Sequence, residues 1–294
     1  MRQDTRPRVT NPLGAALQLR PFAGGLGAEV LGVQVAAIDA AAFPAVHAAF
    51  LQHQLLLFRC QILPPAAQVA FARRFGEVQV HVMDQYHAGE HPELYTLSNL
   101  GADGRPSGRH PDRGTLAWHT DGSWRRATGQ ATMLYAEQMP QSGGDTSFAD
   151  MYSAYAALDP ADQARLAGLR AIHNLNFSRN RRHGEEPMTE AQRQAVPPVD
   201  HPVVRTHPQT GRRCLFLGDH AETIQGMDYA PGRAFVDALN ERIAAAARVY
   251  THRWRPGDFM VWDNRCLLHK AESYDAAREP RVIRRCTVLG EVPA

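Results

Sequence analysis

The sequence predicts a mainly β chain with added helices, built on a double-stranded β-helix (jelly-roll, cupin-like) core. Three observations carry that expectation. Short strand-like runs cluster early and late in the chain, and helical patterns lie between them. Nothing repeats the regular strand–helix alternation of a Rossmann or TIM fold. The 294 residues also suffice for one large domain with a generous core.

The elements follow in order. Residues 1–15 read as an N-terminal arm, leaving 16–294 as a single domain. From Leu17 to Val35, apolar–polar alternation broken by Gly24, Gly25, Gly27 and Gly32 predicts a hairpin. Asp39 is placed to cap a helix through about Gln52, burying Phe43, Val46, Phe50 and Leu51. Leu55–Phe58 reads as a buried strand, and Pro64–Pro65 open a second helix carrying Val69, Phe71 and Phe75. Strands are expected at Glu93–Ser98, Leu116–His119, Ala131–Gln138 and Thr146–Ala149, then helices near 151–168. A segment at about 175–197 reads as an insert, with Thr189 and Gln192 spaced as a capping box. Strands return at Val203–His207 and Cys214–Gly218. A helix follows from about Pro231 to Ala247, and the last strands are Phe259–Asp263 and Arg281–Leu289.

Bulk properties narrow the function classes. Composition is that of an ordinary globular protein, 44% hydrophobic and 21% charged. A formal net charge of +2 gives no reason to expect nucleic acid as a partner. No apolar run approaches the roughly 20 residues of a membrane helix, and the N-terminus lacks the apolar core of a signal peptide. The four cysteines form no C-x-x-C pair, which fits reduced thiols in a cytoplasmic protein. Lys270 is the only lysine; genomic codon bias is the bland explanation, although arginine also suits two-pronged grips on carboxylates.

The segment LAWHTDGSW sets His119 and Asp121 two residues apart, on one face of a strand if it is one. His269, just past the strand ending at Asp263, supplies a third ligand. Two histidines and one carboxylate form the facial triad of non-haem iron(II) oxygenases, with positions left for a 2-oxo acid and dioxygen. With 14 histidines and 17 aspartates, about one H-x-D arises by chance. His110-Pro111-Asp112 is such a decoy, its proline and polar neighbours marking a turn. In the last strand Arg281, Ile283 and Arg285 share a face by their spacing of two. Arginines turned into a barrel require anions. On an edge strand they would simply be solvated.

Taken together, GLGAEVLGV (25–33), FARRFGE (71–77), WHTD (118–121), SGGDTSFADM (142–151), VVRTHPQTGR (203–212), GDFMVWDNRCLLH (257–269) and RVIRRCTVLG (281–290) resemble the taurine/2,4-dichlorophenoxyacetate (TauD/TfdA) dioxygenase family over nearly the whole chain. The middle of the chain is closer to the phenoxyacetate branch. The resemblance implies an iron(II)- and 2-oxoglutarate-dependent dioxygenase with His119, Asp121 and His269 as iron ligands. Thr146 would hydrogen-bond 2-oxoglutarate and Arg281 would pair with its carboxylate. Arg285 would grip a small anionic substrate, with His81 and Trp124 also in the pocket. His207 and His220 would lie behind the ligands. Asp84 stands near the family's pocket tyrosine and departs from it. The implied reaction is hydroxylation, with 2-oxoglutarate decarboxylated to succinate and ether cleavage where the hydroxylated carbon bears an ether oxygen. Halogenation is not implied, since related halogenases lack the carboxylate ligand. Relatives of this kind often self-associate. Three rival readings stand beside it: an alkylsulfonate dioxygenase, a zinc hydrolase using the same triad, and a non-catalytic jelly-roll binding protein. The zinc reading leaves Thr146, Arg281 and Arg285 without a role.

Overall fold

Strand pairing in this protein follows the side-chain period of two. The computed structural model describes residues 17–82, 87–182 and 187–294; the expected arm at 1–15 and Asp84 lie outside them. The strands that build the large sheet are β1 (Leu19–Pro21), β2 (Ala28–Val30), β3 (Leu55–Phe58), β4 (His87–Ala88), β5 (His91–Ser98) and β6 (Gly129–Gln138), completed by β14 (Phe259–Asp263) and β16 (Val282–Leu289). Their order is β1-β2-β3-β14-β6-β16-β5-β4. Every pairing in it is antiparallel except that of β2 with β3. Alternate residues therefore face opposite ways. Leu55, Leu57, Leu134, Met260, Trp262 and Ile283 enter one apolar core, while Leu56, Phe58, Met133, Phe259, Val261 and Val288 enter another.

The second core lies under α1 (Phe43–His53) and α2 (Pro65–Ala72). Phe43, Phe50, Phe71 and Phe75 meet there edge to face, an arrangement aromatic rings prefer. The first core is closed by a smaller sheet in the order β13-β7-β15, made of β7 (Thr146–Asp150), β13 (Arg248–His252) and β15 (Leu267–Ala271). Phe148 of that sheet meets Trp262 of the large one with ring centroids 5.2 Å apart. The two sheets form the expected jelly-roll, with the candidate ligands near its inner face.

The helices α3 (Met151–Ala156), α4 (Pro160–Leu166) and α6 (Tyr229–Ala246) pack beside it, α6 spanning slightly more than expected at its start. Both hydrogen bonds of the capping box are present at α5 (Glu190–Ala195). No helix among the described residues is long and apolar enough to cross a membrane.

Several expectations need correction. Residues 116–119 are not a strand: Arg113–Leu116 is a 3-10 turn, and only His119 pairs, as a single bridge to His269. His269 does follow the strand ending at Asp263, but it lies within a further strand, β15. Asp39 caps no helix; its side chain accepts from Ala41 and Ala42 N–H in the preceding turn, and α1 begins at Phe43. The strand expected at 214–218 is β11 (Arg213–Leu215), paired with β10 (Val204–Thr206). Three further strands, β8 (Arg170–His173), β9 (Val199–Pro202) and β12 (Ala221–Ile224), make a sheet the sequence did not announce. Each is four residues long and flanked by irregular chain, too short for alternation to register. Finally, β16 is not an edge strand, since it pairs with both β5 and β6. Arg281, just before β16, and Arg285 within it are 3% and 9% exposed, so neither is solvated.

Candidate active site

Backbone pairing sets two imidazoles side by side. His119 and His269 exchange both of their backbone hydrogen bonds, at 3.0 and 2.8 Å, and their ring centroids are 4.1 Å apart. The His119 Nδ1–H donates to the Ala117 carbonyl at 2.8 Å. That fixes the tautomer and leaves the Nε2 lone pair for a ligand. Asp121 follows in a turn, where Gly122 adopts a φ of +72°, and the turn is pressed against β6. A Cβ at Gly129 would lie 2.3 Å from the Asp121 carbonyl oxygen, so only glycine fits.

The Asp121 carboxylate lies between the two imidazoles. His119 Nε2 is 3.7 Å from its Oδ1, and His269 Nε2 is 3.6 Å from its Oδ2. Both separations exceed a hydrogen bond. One donor atom from each residue lies within 4.8 Å of the others, and all three residues are buried. Burial alone would raise the Asp121 carboxyl. The Arg285 guanidinium, the two imidazoles and the Thr132 hydroxyl outweigh it and hold the group well below the usual carboxylate range. Burial pushes His269 well below its ordinary value, so its imidazole is neutral. Two imidazoles, each with Nε2 facing the carboxylate, and an ionised Asp121 not hydrogen-bonded to either are a donor set that fits a divalent cation.

A cavity beside His269 is lined by Leu97, Thr146, Trp262, Arg281 and Arg285. Arg281 is 3% exposed. Its Nε–H donates to the Gly144 carbonyl at 3.2 Å, and among the described residues no carboxylate forms an ion pair with it. Burial lowers it to about 10, still cationic at neutral pH. Thr146 Oγ1 accepts from the Trp254 indole at 2.9 Å, which leaves the threonine proton to be donated. The cavity thus offers a buried cation and a hydroxyl, as a dianionic 2-oxo acid requires.

The outer pocket opens on the other side of Asp121. His81 stands edge-on to Tyr95 and Trp124, at 5.1 and 5.5 Å. Leu175 and Met188, from the expected insert, pack on Trp124. Ser178 Oγ bonds His220 Nδ1 at 2.8 Å, and both line the pocket with Arg179 and Asp112. The rings of His81 and His220 are open to the pocket but otherwise surrounded by protein. Burial pushes them down to about 3 and about 4 respectively, so neither carries charge at neutral pH. Arg285 lines both cavities, donates to Asp121 Oδ1 at 3.3 Å and lies over the Tyr95 ring at 4.5 Å.

The sequence-predicted residues His119, Asp121, His269, Thr146, Arg281, Arg285, His81 and Trp124 all gather here. His220 lies in the pocket wall rather than behind the ligands. His207 does not join them. Its Nε2 is 3.0 Å from Asp263, and Arg265 also grips Asp263 through Nε and Nη2 at 2.8 and 2.7 Å. The grouping of His207, Asp263 and Cys266 is therefore already neutralised by arginine. The decoy Asp112 caps the 3-10 turn by accepting from the Gly114 N–H and lines the pocket. Tyr95, Thr132 and Arg179 went unforeseen, because each comes from a segment with no motif of its own; Asn264 lies within GDFMVWDNRCLLH (257–269), but nothing in that pattern assigns it a role.

The family model described as taurine catabolism dioxygenase TauD, TfdA family matches residues 18–287. The (S)-phenoxypropionate/alpha-ketoglutarate-dioxygenase of Delftia acidovorans is 38% identical over 288 residues, covering 93% of this chain and 95% of that one. The alpha-ketoglutarate-dependent 2,4-dichlorophenoxyacetate dioxygenase of Cupriavidus pinatubonensis is 40% identical over 250 residues, covering 82% and 86%. The crystal structure of AAD-2 in complex with Mn(II) and N-oxalylglycine superposes with a TM-score of 0.80 at 31% identity, covering 95% of this chain and 99% of that one.

Proposed function

The chain belongs to the taurine catabolism dioxygenase TauD, TfdA family, and from that premise we propose that it hydroxylates an aryloxyalkanoate-type carboxylate, with His119, Asp121 and His269 as its iron ligands. It is an iron(II)- and 2-oxoglutarate-dependent dioxygenase, and iron, 2-oxoglutarate (alpha-ketoglutarate) and dioxygen together supply the oxidising power for C–H hydroxylation, with succinate and carbon dioxide as co-products. Residues 16–294 act as one catalytic domain, because both apolar cores share the large sheet.

The observation that carries the site assignment is Arg281. A guanidinium this buried, with no carboxylate partner among the described residues, is stable only if an anion joins it. Arg281 therefore binds the distal carboxylate of 2-oxoglutarate, and Thr146 donates its hydroxyl proton to the same group. Arg285 takes the substrate carboxylate at the border between the two cavities. Tyr95, His81 and Trp124 form a wall for an aryl ring, and their rings exclude water from the space beside Asp121. The neutral His81 and His220 leave arginine as the pocket's source of positive charge.

The test is dioxygen uptake and succinate formation over a panel of aryloxyalkanoates and alkylsulfonates. Substrate-stimulated succinate with release of a phenol supports the proposal. Sulfite release would reassign the enzyme to sulfonates. Slow, unstimulated succinate with every compound would refute the substrate class while leaving the dioxygenase chemistry intact.

A further inference from the structure

Asn264, at the corner between β14 and β15, touches none of the three candidate ligands yet reaches all of them. Its neighbours fix the direction of every bond. The Trp262 indole N–H can only donate, so Asn264 Oδ1, at 2.9 Å, must accept. The amide's Nδ2 is therefore turned to Thr132 Oγ1, at 2.7 Å, and donates to it. Thr132 has one proton, and the ionised Asp121 carboxylate can only accept, so Thr132 donates to Asp121 Oδ2 at 2.7 Å. Thr287 Oγ1, 3.0 Å from Thr132 Oγ1, supplies its remaining donor.

Two further contacts leave the same residue. The Asn264 backbone carbonyl accepts from the Thr120 hydroxyl at 2.7 Å, which pins the residue between His119 and Asp121. The Trp262 ring that Asn264 orients stands edge-on to His269 with centroids 4.6 Å apart. Thr132 is fully buried, and Asn264 and Thr120 are each 1% exposed, so water cannot substitute for any of these bonds.

We propose that Asn264 and Thr132 are positioning residues that hold the Asp121 carboxylate in its metal-binding orientation, with Asn264 bracing the flanks of both histidines. This rests on the reading of His119, Asp121 and His269 as the metal ligands. Outer partners of this kind change metal affinity by about 10- to 100-fold when removed. The isosteric Asn264→Asp is the most informative change. An aspartate would still accept from Trp262, but it would also compete for the Thr132 proton and turn the threonine lone pair toward Asp121.

The experiment is titration of the apoprotein with Mn(II), followed by electron paramagnetic resonance, alongside its unfolding temperature. Thr132→Val and Asn264→Asp should each bind Mn(II) about 10- to 100-fold more weakly than the parent, and Thr132→Ser should recover most of the affinity. Folded Thr132→Val or Asn264→Asp protein with parental Mn(II) affinity would overturn the proposal. So would weakening in Thr132→Val that Thr132→Ser does not reverse. If Thr132→Val fails to fold, Asn264→Asp, which preserves volume, decides alone. Asp121→Ala separates the two readings. If it binds Mn(II) like the parent, the triad assignment itself falls, and the positioning role with it; if it loses Mn(II) while Thr132→Val and Asn264→Asp keep it, only the positioning role falls.

Discussion

Two arginines four residues apart, Arg281 just before β16 and Arg285 within it, have different surroundings, and the difference predicts different kinetics. Arg281 is locked against the Gly144 carbonyl inside the inner cavity. Arg285 reaches Asp121 and opens onto the outer pocket as well. Arg281→Ala should raise the KM for 2-oxoglutarate roughly 10- to 100-fold, the loss of about 1.5–3 kcal/mol that a charged hydrogen bond contributes. Arg285→Ala should chiefly raise the KM of the primary substrate. Initial rates with each substrate varied in turn distinguish them, and an equal effect of both variants on 2-oxoglutarate alone would refute the division of roles. The spacing of Arg281 and Arg285 was legible in the sequence, because a period of two reports a shared face. Which arginine meets which anion was not. That depends on Gly144 and Asp121, which are far from the strand in sequence.

At the scale of elements, the ligand turn is held by the strand behind it. Residues 116–119 read as a strand by pattern, yet the WHTD segment contributes a single bridge at His119, with a 3-10 turn (Arg113–Leu116) before it and a glycine turn at Gly122 after it. The proposed ligands His119 and Asp121 converge because His119 pairs with β15 and Asp121 is pressed onto β6. Gly129→Ala would drive a methyl into the Asp121 carbonyl. Relief requires the 121–122 turn to move, so the variant should lose about 1–3 kcal/mol of stability, as overpacked sites do. It should also bind Mn(II) more weakly, because the displaced segment carries the proposed ligand Asp121. An unfolding temperature and Mn(II) affinity equal to the parent's would show that the turn is not held in this way. The segment at 175–197 matters at this scale too. Leu175 and Met188 place it over Trp124, and Ser178 and Arg179 line the pocket. Its sequence gave away only the helix cap at Thr189, since the charged run around it carries no periodicity.

For the whole molecule, pH should act on stability in two stages. His173 is fully buried between His201 and Phe216, and burial pushes it well below its ordinary value. The unfolded chain protonates this residue near pH 6.5 while the native state does not, so stability falls as pH drops below about 6.5, by at most about 1.4 kcal/mol per pH unit for one such histidine. Asp263 is held well below the carboxylate range, since its pairing with Arg265 and His207 outweighs the opposing effect of burial. Its contribution is present above the unfolded value near pH 4 and is lost as pH falls toward its folded value. Buried His81, His220 and His269 act in the same direction, so His173→Phe should reduce the slope of the upper stage without abolishing it and leave the lower one; unfolding temperatures from pH 8 to 4 that keep the parental slope would count against it. The sequence by itself determined the fold class, the jelly-roll strands with clear alternation, the triad and the paired arginines. Those features are local spacings of two, or residue types whose chemistry admits few uses. Only the tertiary structure decided that β16 is central, that His207 pairs with Asp263 instead of serving the site, and that Asn264 and Thr132 stand behind Asp121. Each depends on contacts between segments distant in sequence, where the energy lies in packing and hydrogen-bond direction, and no local pattern records it.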